Sequence, residues 1–519
     1  MAASPTGTRV RLAELIAMLS LGTDLGMGQP MEHVMRQSLI ALRLAERLGL
    51  DERTRVVVYY VGLISWVGCH IDAYEQAKWF GDDMALKTEA RQVDMAGAAA
   101  RAFAVRQVGA GRPWRERARL GVAFVADGRR AAGEMIENHW LATNELAAQI
   151  GLDATVRESL YQTFERWDGK GVPAEVRGEE ILMPARLVNL ADVVEVYHRS
   201  GGVDAAIAVA RERSGSQFDP ALVELFCREA PTLFGDLDAL TTWPAVIEAE
   251  PALGIVLSDA ELESALEAIA DFTDLKSPWT IGHSRGVADL AGAAATIHGL
   301  PDDDARLVRR AGLVHDLGRL GVSNAIWDKR GALSASELER VRMHPYLTER
   351  MLASSEALAP LAAIAVQHHE RLDGSGYPRG VAGDALTPAG RILAAADAYH
   401  AMTEPRPHRA ARSPEDAAAE LRAGVREARF DADAADAVLR AAGHAVTRRR
   451  AWPGGLTNRE VEVLRLLVRG LSNKEIAERL VISRKTAGSH VEHIYTKLGV
   501  SNRAQASLFA VRHGLMTAA

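Results

Sequence analysis

One motif occurs twice in this chain of 519 residues, and its spacing constrains the fold more than any other feature. ERWDGKGVP at 165–173 returns as ERLDGSGYP at 370–378, an offset of 370 − 165 = 205 residues. Upstream, VGLISWVG at 61–68 aligns with AGLVHDLG at 311–318, at an offset of 311 − 61 = 250 residues. Similarity over such distances predicts two related domains in tandem. The first domain carries about 45 extra residues between its two aligned segments.

Composition predicts an all-α fold. Apolar residues make up 48% of the chain and aromatic residues only 5%, and there is little β-branched patterning. Two cysteines, Cys69 and Cys227, cannot form a disulfide framework, which suits a reducing compartment. The longest apolar run, at 56–69, has about 14 residues, fewer than the ~20 that a membrane span needs. We therefore expect a cytoplasmic protein without a membrane segment.

Charge is unevenly distributed along the chain. The net charge is −7, but residues 447–519 contain 13 Lys and Arg against 5 Asp and Glu, or +8, which leaves −15 for the remainder. A basic end on an acidic body predicts a nucleic-acid-binding module joined to domains with another role.

Histidine and aspartate residues are concentrated in the second repeat. His368 and His369 precede a turn-rich loop, where two solvated imidazoles would be the simplest interpretation. His315 and Asp316, however, follow an apolar run that predicts burial, and a buried aspartate needs a partner such as a metal ion. Candidate ligands lie on separate helical segments that can converge inside a bundle. They are His283, His315, Asp316, His344, His368, His369 and Asp397.

The ligand types indicate the kind of metal. Imidazole and carboxylate without thiolate suit Fe, Mn or Zn better than Mg or Ca. Asp316 could bridge two ions, with the histidines distributed between them.

The first repeat has lost most of this chemistry. Ser65 and Trp66 replace the histidine–aspartate pair, and Thr163 and Phe164 replace the paired histidines. We expect a non-catalytic scaffold, sensor or dimerisation module whose remaining ligand types are packed in its core: His33, His139 and Asp192.

The candidate ligands of the second repeat stand in five short motifs: GHSR at 282–285, LVHDLGRLGV at 313–322, RMHP at 342–345, HHERLDGSGYP at 368–378 and AAAD at 394–397. By these motifs, residues 277–443 resemble the HD-GYP family of the HD phosphohydrolase superfamily. It implies an all-α fold, hydrolysis of cyclic di-GMP, and two or three metal ions held by the seven residues above. Asp316 would be the bridging and catalytic ligand.

Two departures from the family pattern matter. Trp279 stands where members with a third metal have Glu, so we expect two divalent transition-metal ions. Arg319 replaces the lysine of the HDxGK motif; it keeps the positive charge and would help to neutralise the substrate phosphate. The resemblance also implies that the substrate contacts Arg371, Gly376, Tyr377, Pro378 and Arg391.

Residues 456–516 resemble a LuxR-type helix-turn-helix domain with four helices. TNRE at 457–460 and SNKE at 472–475 predict capping boxes, and Ser483 and Ser501 predict two further N-caps. The resemblance implies a scaffold helix at 473–480, a recognition helix at 484–498, and a homodimer on double-stranded DNA. The residues facing DNA would be Lys485, Thr486, Ser489, His490 and Lys497.

Together these patterns predict five segments. They are a degenerate HD-GYP-like domain at 1–235, a connector at 236–255, a metal-dependent HD-GYP domain at 256–446, a linker at 447–455 and a DNA-binding domain at 456–519. The predicted function is a cyclic di-GMP phosphodiesterase that acts in transcriptional regulation. Two alternatives stay open: a ligand-sensing transcription factor with little turnover, or a phosphohydrolase of another nucleotide.

Overall fold

The computed structural model describes residues 9–94, 97–173, 176–251, 254–443 and 452–516. Across these ranges the chain is helical and contains isolated β-bridges but no strand, which confirms the predicted all-α class. In the same ranges, no single helix is long and apolar enough to cross a bilayer, and one bent pair, Glu52–His70 with Ala73–Phe80, meets the criteria of length and composition. The chain divides into two compact units, Met1–Ser264 and Ala265–Ala519.

The first unit is built around α2 and α9. α2 packs against α3 and α9, and α10 packs against both α2 and α9. Asp51, Asp153 and Asp219 cap α3, α8 and α10 by accepting hydrogen bonds from backbone N–H groups. The helices are α1 (Leu12–Gly26), α2 (His33–Arg47), α3 (Glu52–Ile64), α4 (Ala73–Phe80), α5 (Asp83–Ala90), α6 (Gly97–Gln107), α7 (Trp114–Gln149), α8 (Ala154–Tyr161), α9 (Met183–Glu212), α10 (Pro220–Asp238) and α11 (Thr242–Glu248).

The second repeat is built around α13, which packs against α14, α19 and α21. In α12, one apolar face is buried, since Leu262, Leu266 and Ile269 are at most 8% exposed. The helices are α12 (Asp259–Asp274), α13 (His283–His298), α14 (Asp302–Val314), α15 (Asn324–Trp327), α16 (Ala335–Arg342), α17 (His344–Leu352), α18 (Ala359–Ala365), α19 (Pro388–Thr403), α20 (Pro414–Arg426) and α21 (Ala432–Ala442).

Corresponding helices of the two repeats begin at the offsets found in the sequence. α2 and α13 start 283 − 33 = 250 residues apart, and the short 3-10 helices Val67–His70 and Leu317–Gly321 have the same offset. α9 and α19 start 388 − 183 = 205 residues apart, as do the 3-10 helices Gly178–Glu180 and Gly383–Ala385. The two offsets read from the sequence therefore correspond to matching structural elements.

Four further helices form the C-terminal domain, as predicted: α22 (Asn458–Val468), α23 (Asn473–Leu480), α24 (Arg484–Leu498) and α25 (Arg503–Arg512). Both capping boxes are present, and Ser483 caps α24. The prediction for Ser501 is wrong by one residue. Asn502 is the N-cap of α25 because its side chain accepts from Gln505 N, while Ser501 bonds the Gln505 side chain instead.

The domain boundaries stay predictions. The predicted connector is largely helical, since it contains the end of α10 and all of α11. Glu250 in this region accepts hydrogen bonds from Arg11 and Tyr60, so it belongs to the packing of the first unit. Residues 447–451 of the predicted linker lie outside the described residues, and a 3-10 helix, Pro453–Gly455, occupies its end.

Candidate metal centre

The predicted ligands converge in the interior of the second repeat. His283 and His344 are the first residues of α13 and α17, and Asp397 lies within α19. α14 ends one residue before His315, and Asp316 follows at the start of the next turn.

His368 and His369 follow α18 in a turn. Among the seven ligand residues, His369 is the most open, with 22% of its side chain exposed. Within each of three groups the ligand atoms lie within 4.8 Å of one another: His283–His315–Asp397, His344–His368–His369, and His315–Asp316–His368.

Asp316 lies between the first two groups and faces one with each oxygen. Its Oδ1 is 3.3 Å from His344 Nε2 and 3.7 Å from His368 Nε2. Its Oδ2 is 3.4 Å from His315 Nε2 and 3.7 Å from His283 Nε2. This one carboxylate therefore faces both groups of candidate ligands, with one oxygen toward each.

Backbone hydrogen bonds fix the orientation of three imidazoles. In His315, His344 and His368, Nδ1 lies 2.7, 2.6 and 2.6 Å from the carbonyl oxygen three residues earlier. A carbonyl can only accept, so each Nδ1 carries the proton and each Nε2 presents a lone pair to the interior. This is the tautomer that metal ligation requires.

Bound metal would explain two features of the ligand nitrogens. His344 Nε2 and His368 Nε2 lie 3.1 Å apart, although both are acceptors in this tautomer. His315 Nε2 is buried and has no hydrogen-bond partner among the described residues. Buried acceptors without donors are costly, and metal bound at the two ligand groups would satisfy these nitrogens. The residues present therefore fit a metal centre.

Burial and neighbouring charges keep three of the ligands, His368, His369 and Asp316, in the protonation states that metal binding requires. Burial, with the charge of His315, lowers the pKa of His368 to about 3, and burial with His368 holds the pKa of His369 well below its usual value. Burial alone would raise the pKa of Asp316, but Arg319 and His315 hold it well below its usual value. At neutral pH these groups are neutral imidazoles and an ionised carboxylate, as ligands must be.

Glu404 is a functional candidate that the sequence analysis missed. Its Oε2 lies 2.9 Å from His283 Nδ1 and accepts from Arg406 at 3.0 Å. Although burial opposes protonation, Glu404 and Asp397 raise the pKa of His283 to about 10. Glu404 and His400 could also form a ligand group with His283, but the Arg406 guanidinium already occupies the carboxylate. The available sequence signal was that the segment at 404–409 has no counterpart in the first repeat.

Arg319 pairs with a candidate metal ligand instead of pointing away from it. Its Nη1 lies 2.6 Å from Asp316 Oδ2, and its guanidinium stacks 4.2 Å from the Trp327 ring. This position fixes a positive charge at the edge of the centre. Trp279, which marks the expected absence of a third metal, accepts a hydrogen bond from Arg406 through its backbone carbonyl.

Two of the five predicted substrate residues, Arg371 and Tyr377, lie in the loop that follows the paired histidines. The Tyr377 ring lies 4.7 Å from the His369 ring and 6.3 Å from the His344 ring, beside two of the candidate ligands. Arg371 stacks on Phe430 at 4.7 Å and contacts the same loop.

The rest of the loop is held by its own backbone. A Cβ on Gly376 would lie 2.4 Å from the Arg371 backbone nitrogen, so a larger residue would displace the loop, and Pro378 follows in the same turn. Arg391, in contrast, is engaged by Asp431 and Asp384 at 3.1 and 3.3 Å. These bonds hold Arg391 against the turn at 383–386 and the N-cap of α21, and its contact with substrate stays a prediction.

In the first repeat an arginine occupies the corresponding interior. Arg91 forms an ion pair with Asp192 and lies 4.5 Å above the Trp66 ring. Asp192 also lies 3.1 Å from His33 Nε2, whose Nδ1 bonds Glu195 at 2.5 Å. Arg91 belongs to the extra residues of this repeat. The insertion thus supplies a cation where the second repeat has ligands for metal ions.

His139 is also a packed residue of the first repeat, as expected. Its Nε2 lies 2.9 Å from the Ser65 carbonyl oxygen, and burial lowers the pKa of His139 to about 4. Among the described residues of this unit, no group of His, Cys, Asp and Glu converges as the groups of the second unit do.

The predicted DNA-facing residues lie along α24. Lys485, Thr486 and Ser489 are exposed, and His490 is partly exposed. Lys497 is engaged within the domain, since its Nζ lies 2.7 Å from Glu460 of the first capping box and 3.2 Å from the Gly455 carbonyl oxygen. Its contact with DNA stays a prediction.

The repeats and the C-terminal domain each match a known protein family. Residues 130–222 and 267–434 match the HD domain family, and residues 455–510 match the luxR family of bacterial regulatory proteins. The 3′3′-cGAMP-specific phosphodiesterase 3 of Vibrio cholerae is 33% identical over 404 residues, which cover 77% of this chain and 88% of that protein. The cyclic di-GMP phosphodiesterase response regulator RpfG of Xanthomonas campestris is 32% identical over 177 residues, covering 34% of this chain and 47% of that protein.

A solved structure agrees with these matches. The crystal structure of the cyclic GMP-AMP-specific phosphodiesterase V-cGAP3 of V. cholerae has a TM-score of 0.60 and 28% identity, covering 85% of this chain and 99% of that chain. The helical fold, the buried imidazole and carboxylate ligands and these relatives together place the chain among the metal-dependent phosphohydrolases. The chain belongs to the HD domain family, and within it to the HD-GYP phosphodiesterases, with a LuxR-type domain at its C-terminus.

Proposed function

We propose that the second repeat hydrolyses a cyclic dinucleotide with the help of two divalent transition-metal ions. The observation that carries the proposal is the position of Asp316, whose two oxygens face two separate groups of ligands. When bound, two such ions supply a nucleophilic water at neutral pH and neutralise charge on the phosphoryl oxygens.

The protein side chains have distinct parts in this proposal. Asp316 would hold both ions, and Arg319 would set the charge and orientation of Asp316 through their 2.6 Å contact. Tyr377 would pack against the substrate next to His369, and Arg371 would supply positive charge on the same side. The buried setting excludes bulk water and strengthens these interactions.

Two cyclic dinucleotides are the substrates to test. Cyclic di-GMP is implied by the HD-GYP motifs and by relatives such as RpfG. The 3′3′-cGAMP-specific phosphodiesterase 3 of V. cholerae matches 77% of this chain, which favours 3′3′-cGAMP as the second candidate. Both contain a guanosine and two phosphodiester bonds, so one centre could accept either.

The C-terminal domain would bind double-stranded DNA through α24. Exposed Lys485, Thr486 and Ser489 give this helix a polar face with positive charge at its start, as phosphate contact and base contact require. We further propose that the chain acts in the cytoplasm as a homodimer, because two copies of the domain would read two half-sites.

The test is turnover of both cyclic dinucleotides by the full-length protein loaded with Mn²⁺ or Fe²⁺. The proposal expects a linear dinucleotide product, detected by chromatography, and no product from Asp316→Ala. Tight binding of cyclic di-GMP without product would favour a ligand-sensing transcription factor, to which the Arg319 ion pair would be suited. If the protein hydrolysed neither cyclic dinucleotide but hydrolysed a different phosphoester, that result would contradict the proposed substrate class.

A further inference from the structure

The C-terminal end of the LuxR-type domain contacts the start of α13, beside the metal centre. Gly282 immediately precedes the candidate ligand His283 and has a φ angle of 80°. A Cβ built on Gly282 would lie only 2.8 Å from Met516 Cβ. Met516 itself is buried, with 4% of its surface exposed. Met516 therefore packs directly against Gly282, and a side chain at position 282 would collide with Met516.

The first repeat shows that the backbone shape alone does not require this glycine. Glu32 aligns with Gly282, since 282 − 250 = 32, and has a φ angle of 82°. A residue with a side chain is thus accommodated in the left-handed region at the start of the equivalent helix, despite its usual cost. The difference in the second unit is the contact with Met516.

An electrostatic interaction also reaches the turn between α22 and α23. Burial lowers the pKa of Arg469, and the charge of the Glu404 carboxylate opposes that shift. Glu404 is the residue that bonds His283 Nδ1 at 2.9 Å. Arg465 in α22 also donates from its Nε to the Leu515 carbonyl oxygen at 2.7 Å, next to Met516. The contact of Met516 with Gly282 thus lies one residue from His283, and the charge of Arg469 acts on a hydrogen-bond partner of the same candidate ligand.

We propose that the DNA-binding domain docks on the metal-binding helix through Met516, with the charge of Arg469 acting on Glu404, and that this arrangement couples metal occupancy to DNA affinity. The inference rests on the proposed function, since it requires that the chain binds both metal and DNA. Because His283 adjoins Gly282 and hydrogen-bonds Glu404, an ion that displaced His283 would displace the two residues that face Met516 and Arg469. The coupling is reciprocal, so DNA must change metal affinity by the same factor.

The docked position leaves the recognition helix open. Lys485, Thr486 and Ser489 are exposed in the same arrangement that buries Met516. The contact therefore does not act by covering the residues that would read DNA. It acts by fixing the orientation of the domain relative to the metal-binding repeat, which decides how two copies of α24 can meet two half-sites.

The test measures the affinity of the full-length protein for a fluorescein-labelled random-sequence duplex, with Mn²⁺ present and after its removal by chelation. Fluorescence anisotropy gives Kd, and isothermal titration verifies Mn²⁺ binding in each variant. We expect Kd of the native chain to change by about 5-fold or more between the two states, the lower end of typical couplings. Met516→Asp and Arg469→Glu should reduce this factor to less than about 2-fold while both variants still bind Mn²⁺.

Two controls make the result specific. Arg479→Glu makes the same charge change as Arg469→Glu at an exposed position of α23 and should keep the native factor. Asp316→Ala should show no response to Mn²⁺, which excludes a direct effect of the ion on the duplex. Equal Kd values for the native chain in both states, or a native factor in both docking variants, would overturn the inference. Failure of the native chain to bind Mn²⁺ or DNA would contradict the proposed function instead.

Discussion

Replacing Glu404 with Gln tests whether this residue positions a metal ligand. Glu404 Oε2 lies 2.9 Å from His283 Nδ1, and the pair is buried. Gln keeps the shape and an acceptor oxygen but loses the charge. A hydrogen bond to a charged group contributes about 1.5–3 kcal/mol and a neutral one about 0.5–1.5 kcal/mol. The difference of about 1–1.5 kcal/mol corresponds to about a 10-fold loss of metal affinity.

The effect should fall on one ion of the pair. His283 belongs to the group with His315 and Asp397, and not to the group of His344, His368 and His369. Isothermal titration of the metal-free protein with Mn²⁺ should therefore show one weakened step and one step unchanged. Glu404→Ala should weaken the same step further, toward the 100-fold end of such effects.

Glu420→Gln is the matched control, because Glu420 forms an ion pair with Arg412 on the protein surface. It should leave both binding steps as they are in the native chain. Unchanged affinity in Glu404→Gln would refute the positioning role. Equal weakening of both steps would show a general loss of structure and would refute the assignment of Glu404 to one ion.

Three further predictions follow from other parts of the chain. Asp316→Ala should abolish metal binding and hydrolysis together, and elemental analysis showing two retained ions would contradict a bridging role. Arg91→Ala should leave the buried carboxylate of Asp192 with His33 as its remaining partner, at a cost of about 3 kcal/mol, the lower end of the range for breaking a buried ion pair; calorimetry should show an unfolding transition about 6–12 °C lower, and an unchanged transition would show that Arg91 does not stabilise this site. Lys485→Ala should weaken DNA binding on all sequences and reduce the salt slope by about one. A native salt slope in that variant would remove Lys485 from the phosphate contacts.

The parts of the fold that sequence predicted are those with a local or repeated pattern. Two offsets located matching helix starts, because the same motifs end or begin the same elements in both repeats. The four C-terminal helices followed from side chains that satisfy unpaired backbone N–H groups, such as Thr457 and Ser472. The ligand set followed from residue types that are costly to bury without a metal.

The parts that sequence did not predict depend on tertiary contact. Arg91 lies in an insertion without a counterpart, so its position beside Asp192 could not be derived from alignment. Glu404 reaches His283 across 121 residues of sequence. Lys497 faces outward by helix position, yet it pairs with Glu460 of another helix. In each case a long charged side chain pairs with a residue that is distant in sequence and comes within reach only in the folded chain.

The central claim is that two ions lie on either side of Asp316, and anomalous diffraction from crystals grown with Mn²⁺ tests it most directly. The account predicts two anomalous peaks about 3.5–4 Å apart. One peak should contact His283, His315 and Asp397, the other should contact His344, His368 and His369, and both should contact Asp316. A single peak, a third peak near Trp279, or two peaks without Asp316 between them would contradict the account.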